Sequence, residues 1–262
     1  MDIKVSLFAE ENELPLQRFA DDYSSTSIFR SVAFIGDSLS SGEFETYDEV
    51  EGTGYHDFFD YSWGRFMARK NGFTAYSFSQ GGMTAEAYVN SFAEEMGYWD
   101  PQKKAQAYVI ALGVNDILNE HQPIGTIDDI CTEDPAKNAP TFAGYYGAIV
   151  SRYKAICPDA KFFFVTFPKT DAEEQTADTL AHRDLLYKMA DFFENAYVID
   201  LYQYGPVYDE RFREHYYLYN HLSPAGYLLT ARLIDSYIDY IIRHNPQDFK
   251  YTGFIGTEIR YQ

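Results

Sequence analysis

Apolar residues dominate five short runs along the chain, set between stretches whose apolar residues recur at helical spacing. The runs lie at 32–36, 73–78, 106–112, 161–167 and 196–201. Such runs suit strands buried on both faces of a parallel sheet. Between them, Trp63, Phe66 and Met67 share one face of a predicted helix over 60–71, which stops at Asn71-Gly72. Thr84 is placed to cap a helix through about residue 98. Tyr145, Ile149, Tyr153 and Ile156 mark a helix over 141–157, and Pro158 stops it. Further helices are expected over 171–194 and over 224–244, the latter opening on Pro224 at a favourable first position. Strands alternating with helices predict an α/β three-layer sandwich: a central five-stranded parallel sheet in the flavodoxin-like order 2-1-3-4-5. Residues 40–56 and 119–140 are expected as loops, and 205–223 as loop with a short helix. In residues 1–30, Ile3, Val5 and Leu7 alternate with polar residues, and Leu14, Leu16 and Phe19 follow. They predict a strand or arm across the core. Residues 245–262 are expected as a surface tail. Neither a linker nor a repeat divides the sequence, so one domain is expected over 1–262.

Composition narrows the function. The chain has 262 residues, 46% hydrophobic and 23% charged, as a globular protein requires. Its 24 Tyr and 21 Phe call for a large core and suit an aromatic-lined cleft. A formal net charge of -19 argues against nucleic-acid phosphates and anionic membrane surfaces as partners. Cys131 and Cys157 form no metal-spaced motif and no disulfide framework. The first residues lack a basic stretch followed by a long apolar one, and no run approaches membrane-spanning length. A cytoplasmic location is the expectation, unless a leader has been removed.

Chemistry gathers at the strand ends. The first strand runs into Gly36-Asp37-Ser38-Leu39, the second into Gly81-Gly82, and the third into Gly113-Val114-Asn115-Asp116. His221 lies in Tyr219-Asn220-His221-Leu222-Ser223-Pro224-Ala225-Gly226, after the fifth strand. Ligands of open parallel sheets bind outside the carboxyl ends of the strands, so all four groups are expected on one edge. A serine hydroxyl becomes a competent nucleophile when an imidazole takes its proton, and a histidine titrates in the right range. Alone, Gly-Asp-Ser is also ordinary turn chemistry.

In their order and placement these four blocks resemble the SGNH, or GDSL-type, hydrolase family over residues 31 to 244. The resemblance implies Ser38 as nucleophile and His221 as base. It also implies an oxyanion hole from the backbone N–H of Ser38 and Gly82 and the amide of Asn115. Gly82 is expected because a side chain there would block the substrate's approach to the backbone. The implied activity is that of a serine esterase or deacylase working through an acyl-enzyme, without cofactor or metal. Its substrate is a small-molecule ester, with an acylated carbohydrate or other small polar metabolite preferred. Lipase or lysophospholipase-type activity is an alternative. A non-catalytic carbohydrate- or ligand-binding protein on the same scaffold is another.

One position departs from the family pattern. The family's aspartate three residues before the histidine is Leu218 here. A backbone carbonyl near Leu218 could take its place, or a carboxylate from elsewhere, with Glu214, Glu210, Asp209 and Asp200 as candidates. Loss of activity is the third reading. Tyr47, Tyr55, Tyr216, Tyr217 and Tyr219 are candidates for lining the substrate site, although packing is the commoner fate of a tyrosine.

Overall fold

The structure, a computed structural model, describes residues 9–10 and 12–259. Among the described residues there are nine strands: β1 (Ser31–Gly36), β2 (Glu43–Asp48), β3 (Gly52–Asp57), β4 (Thr74–Ser79), β5 (Ala107–Ala111), β6 (Lys161–Val165), β7 (Ala196–Ile199), β8 (Tyr217–Leu218) and β9 (His221–Leu222). Five of them form a parallel sheet in the order β4-β1-β5-β6-β7. Counted along the chain, that is the expected 2-1-3-4-5.

The central strands are apolar on both faces because each face meets its own layer of helices. Successive side chains of a strand point to opposite sides. Ala33 and Ile35 of β1, with Phe162 and Phe164 of β6, join a core that includes Phe142, Tyr146 and Tyr153 of the helix Phe142–Ile156. Val32, Phe34, Phe163 and Val165 join a second core, with Trp63 and Met67 of the helix Trp63–Asn71 and Ile234, Tyr237 and Ile238 of the helix Pro224–His244. Phe34 meets Trp63 edge-on with ring centroids 4.9 Å apart. Helix ends follow their caps. Ser62 accepts from Arg65 N, Gly72 closes the same helix, Thr84 accepts from Ala87 N, and Ser223 accepts from Gly226 N.

Four regions differ from expectation. Residues 40–56, expected as a loop, hold most of the antiparallel hairpin β2–β3, in which Glu43 stands opposite Asp57 and Glu45 opposite Tyr55. Its period-two pattern is inverted: Glu43 and Glu45 are buried, while the exposed positions carry Thr46, Tyr47 and Asp48. Phe44 packs on Phe58, Tyr61 and Tyr227. At the tip, Asp48 Oδ1 accepts from the N–H of Val50 and Glu51. Residues 205–223 contain the helix Glu210–Tyr216 and the hairpin β8–β9. Ile3, Val5 and Leu7 lie outside the described residues. The described part of the arm forms no strand before Ser31 and is tied instead to the helix Pro224–His244. Glu13 pairs with Arg243 at 2.7 Å, Ala20 N donates to Ser236 Oγ, and Ser25 N donates to Asp239. The tail is less superficial than expected, since Phe249 and Ile255 are buried.

Candidate active site

β1, β4 and β5 deliver their carboxyl ends side by side, and a cleft of about 740 Å³ opens there. Ser38, Gly82, Asn115 and His221 all line it. The first three arrive directly from strand ends, and the β8–β9 hairpin brings the histidine.

Ser38 opens a single helical turn, Ser38–Ser41, capped by Asp37, whose Oδ1 accepts from Leu39 N at 3.1 Å. Burial pushes the Asp37 carboxyl up to about 7. The aspartate thus shapes the turn from below. The Ser38 carbonyl accepts from Ser41 Oγ and Tyr227 OH, while its hydroxyl has no hydrogen-bond partner among the described residues. Gly36 must be glycine because a Cβ there would lie 2.2 Å from Ser40 Oγ and 2.7 Å from the Ala111 carbonyl.

Gly82 adopts φ +71°, a left-handed conformation that side chains disfavour, yet a Cβ would meet no protein atom within 4 Å. Backbone conformation is therefore what the protein itself demands of this residue. Asn115 sits on a π-helical turn, Val114–Asn119, a wide turn common at functional sites. Its Oδ1 accepts from Asn119 Nδ2 at 2.8 Å and its Nδ2 donates to the Met83 carbonyl at 3.1 Å. One Nδ2 hydrogen is thereby left for the cleft. Asp116 Oδ1 accepts from Ala85 N at 2.7 Å, a second tie between the same two loops. Burial pushes the Asp116 carboxyl up to about 7, and its Oδ2 is buried without a hydrogen-bond partner among the described residues. Beneath this wall the fully buried His182 stacks on Phe167, ring centroids 3.8 Å apart, and its Nε2 meets the Leu112 carbonyl at 3.2 Å. Burial holds its ring down to about 3, so it is neutral.

His221 faces two carboxylates, and both come from β2. Its Nδ1 lies 3.4 Å from Glu45 Oε2, and its Nε2 lies 3.0 Å from Glu43 Oε1. Glu45 is itself held by Asn220, whose N–H reaches Oε2 at 3.0 Å and whose Nδ2 reaches Oε1 at 3.2 Å. The group on the ring nitrogen Nδ1 is therefore a glutamate from the first hairpin, and none of the carboxylates expected from sequence. Asp200 is buried against Arg183 Nε at 2.6 Å and Tyr187 OH at 3.0 Å. Asp209 caps its helix at Phe212 N, and Glu210 and Glu214 are exposed on that helix. Leu218 pairs with His221 across the β8–β9 hairpin and is exposed.

Glu43 packs its other oxygen, Oε2, against Gly81, where a Cβ would come within 1.8 Å. Asp57, opposite it, accepts from Ser41 Oγ and Gly81 N. Burial pushes the Glu43 carboxyl upward; His221 opposes that shift, and Asp57 and Glu45 add to it. Of the expected lining tyrosines, Tyr55 and Tyr217 reach the cleft, with the Tyr55 ring 5.9 Å from that of His221. Tyr47, Tyr216 and Tyr219 are not on its wall; Tyr219 occupies the hairpin turn at φ +58°. Glu43, Glu45 and Asn220 were missed from sequence. The available signal was the alternation Glu43-Phe44-Glu45, which puts two acids on one strand face. Among the described residues, no group of three or more His, Cys, Asp and Glu could hold a metal ion, and no helix is long and apolar enough to cross a membrane.

A five-stranded parallel sheet with a serine, a glycine, an asparagine and a histidine at its carboxyl edge is the architecture of SGNH-type esterases. The model of the GDSL-like Lipase/Acylhydrolase family matches residues 34–229, and the chain belongs to that family. Solved structures share the fold. A family two carbohydrate esterase from Clostridium thermocellum, in complex with cellohexaose, aligns at 17% identity and TM-score 0.58, over 84% of this chain and 65% of that one. A family 3 carbohydrate esterase from the same organism aligns at 15% identity and TM-score 0.51, over 81% of this chain and 96% of that one. A protein of the G-D-S-L family from Desulfitobacterium hafniense DCB-2 aligns at 16% identity and TM-score 0.51, over 79% and 99%. No curated protein matches the sequence.

Proposed function

We propose that the protein is a serine esterase that cleaves acyl groups from a small polar alcohol, with acylated carbohydrates the preferred class. The observation that carries this reading is one cleft shared by Ser38, Gly82, Asn115 and His221, with a carboxylate on the imidazole Nδ1. Ser38 Oγ attacks the ester carbonyl while His221 Nε2 takes its proton. Glu45, fixed by Asn220, selects the tautomer with its lone pair on Nε2 and stabilises the imidazolium that forms. The N–H of Ser38 and Gly82 and the free Nδ2 hydrogen of Asn115 stabilise the oxyanion. His221 then protonates the leaving alcohol, and water resolves the acyl-enzyme by the same route. The carbohydrate preference is supported by Tyr55 and Tyr217 on the cleft wall and by the fold shared with carbohydrate esterases.

The test is hydrolysis of p-nitrophenyl acetate. The Ser38→Ala variant is expected to lose at least ~10³-fold in kcat; a rate close to wild type would remove Ser38 from the mechanism. A second reading, a binding protein that has lost catalysis, draws on one observation: Nε2 of His221 is engaged by Glu43 while the Ser38 hydroxyl has no hydrogen-bond partner among the described residues. A wild-type protein inert towards p-nitrophenyl acetate would favour it.

A further inference from the structure

We infer that Glu43 is a specificity-determining residue for the alcohol half of the substrate, selecting esters that carry a hydrogen-bond donor on the carbon next to the esterified oxygen. This inference rests on the esterase reading above. With Nδ1 turned to Glu45, Nε2 is the atom that must serve both Ser38 and the leaving oxygen. Glu43 Oε1 lies 3.0 Å from that same atom. A group within hydrogen-bond reach of Nε2 is also close to the leaving oxygen once an ester is bound, and two oxygens on adjacent carbons lie within reach of each other. A vicinal hydroxyl therefore falls on Glu43, and a carboxylate is the strongest acceptor it could meet.

The surroundings favour this role over a structural one. Glu43 Oε2 fills the space that the missing side chain of Gly81 leaves, which seats the carboxylate on the cleft wall. Burial and two further acids, Asp57 and Glu45, disfavour its charge, so an unpartnered Glu43 is costly. Without a substrate, a proton shared between His221 Nε2 and Glu43 Oε1 supplies that partner. A substrate hydroxyl can replace it, the shared proton leaving to solvent as the ester enters, and the exchange frees the Nε2 lone pair for Ser38. An ester without a donor leaves Glu43 competing with Ser38 for the ring. Tyr55 and Asn220 complete this side of the cleft, a flat ring and an amide beside the acceptor. Proton traffic is unchanged by the contact. The Ser38 proton passes to Nε2 and on to the leaving alkoxide as the acyl–oxygen bond breaks, and the vicinal hydroxyl keeps its own proton throughout.

The experiment compares kcat/KM for trans-2-hydroxycyclohexyl acetate and trans-2-methoxycyclohexyl acetate, which differ only in the donor. The wild-type enzyme is expected to prefer the hydroxy ester by about tenfold or more, the scale of a hydrogen bond to a charged group. In Glu43→Ala the ratio is expected to fall to about one, and in Glu43→Gln to an intermediate value, because an amide oxygen accepts more weakly. Each ratio is internal to one protein, so partial loss of folding or overall rate cancels. Wild-type hydrolysis of p-nitrophenyl acetate without a hydroxy-ester preference, or an undiminished preference in Glu43→Ala, overturns the role of Glu43 alone. Failure of the wild type to hydrolyse p-nitrophenyl acetate overturns the esterase reading, and this inference with it.

Discussion

His221 is the residue on which the site turns, and its two nitrogens are served by neighbours two positions apart in sequence. Glu43 and Glu45 share one face of β2 because side chains repeat every second residue along a strand. Their roles differ through their second contacts. Glu45 has both oxygens held by Asn220, a fixed partner suited to orienting a ring. Glu43 has Gly81 backbone behind it and the cleft in front. The Glu45→Gln variant is expected to keep KM within about threefold and lose ~10²-fold or more in kcat, because an amide can favour the wrong imidazole tautomer. Glu214→Gln, by contrast, is expected to match the wild type, since Glu214 is exposed on the helix Glu210–Tyr216. Steady-state kinetics on p-nitrophenyl acetate check both. Equal rates for wild type and Glu45→Gln would remove Glu45 from the proposed triad.

At the scale of elements, what was legible in the sequence follows from how local each cause is. The helix 224–244 was readable to the residue at its start, because its opening signal, Pro224, lies within it. The strands entering the sheet were readable because burial on both faces leaves a continuous apolar run. Ser38, Gly82, Asn115 and His221 could be placed on one edge because parallel strands share their carboxyl ends. The β2–β3 hairpin was not readable. Its inward face carries Glu43 and Glu45, whose reason for burial is a histidine some 175 positions away in sequence. A charged stretch punctuated by glycines looks like a loop until that partner is known. The turn that carries Ser38 yields a sharper test. Gly36→Ala forces Cβ against Ser40 and the β5 backbone at Ala111. It is expected to destabilise the protein by about 1–3 kcal/mol, the usual scale for overpacking, as measured by urea denaturation. An unchanged midpoint would mean the turn yields more easily than its geometry implies.

Across the whole molecule, buried groups pull stability in different directions with pH. The chain carries -19 near neutrality, so its acids already repel one another. Asp116 adds a specific effect. Its carboxyl is pushed up to about 7 by burial, against about 4 in an unfolded chain. The folded protein therefore binds this proton more tightly, and that contribution to stability is full below pH ~4 and lost as pH rises through ~7. His182 runs the other way. Burial lowers it to about 3 from an unfolded value near 6.5, so its neutral form favours folding above pH ~6.5, and this is lost as pH falls towards 3. Denaturation of wild type and Asp116→Asn across this range separates the two effects. Relative to wild type, the variant is expected to gain up to about 1.4 kcal/mol per pH unit between pH ~4 and ~7. A pH-independent difference would show that Asp116 titrates normally.

The central claim is that Ser38 is activated by the imidazole of His221. Labelling with a fluorophosphonate probe, followed by peptide mass mapping, tests it most directly, because only an activated serine reacts at a useful rate. The expected result is a single adduct on the peptide carrying Ser38 in the wild type, and none in folded His221→Ala. An unlabelled wild-type protein, or an adduct at any residue other than Ser38, would contradict it.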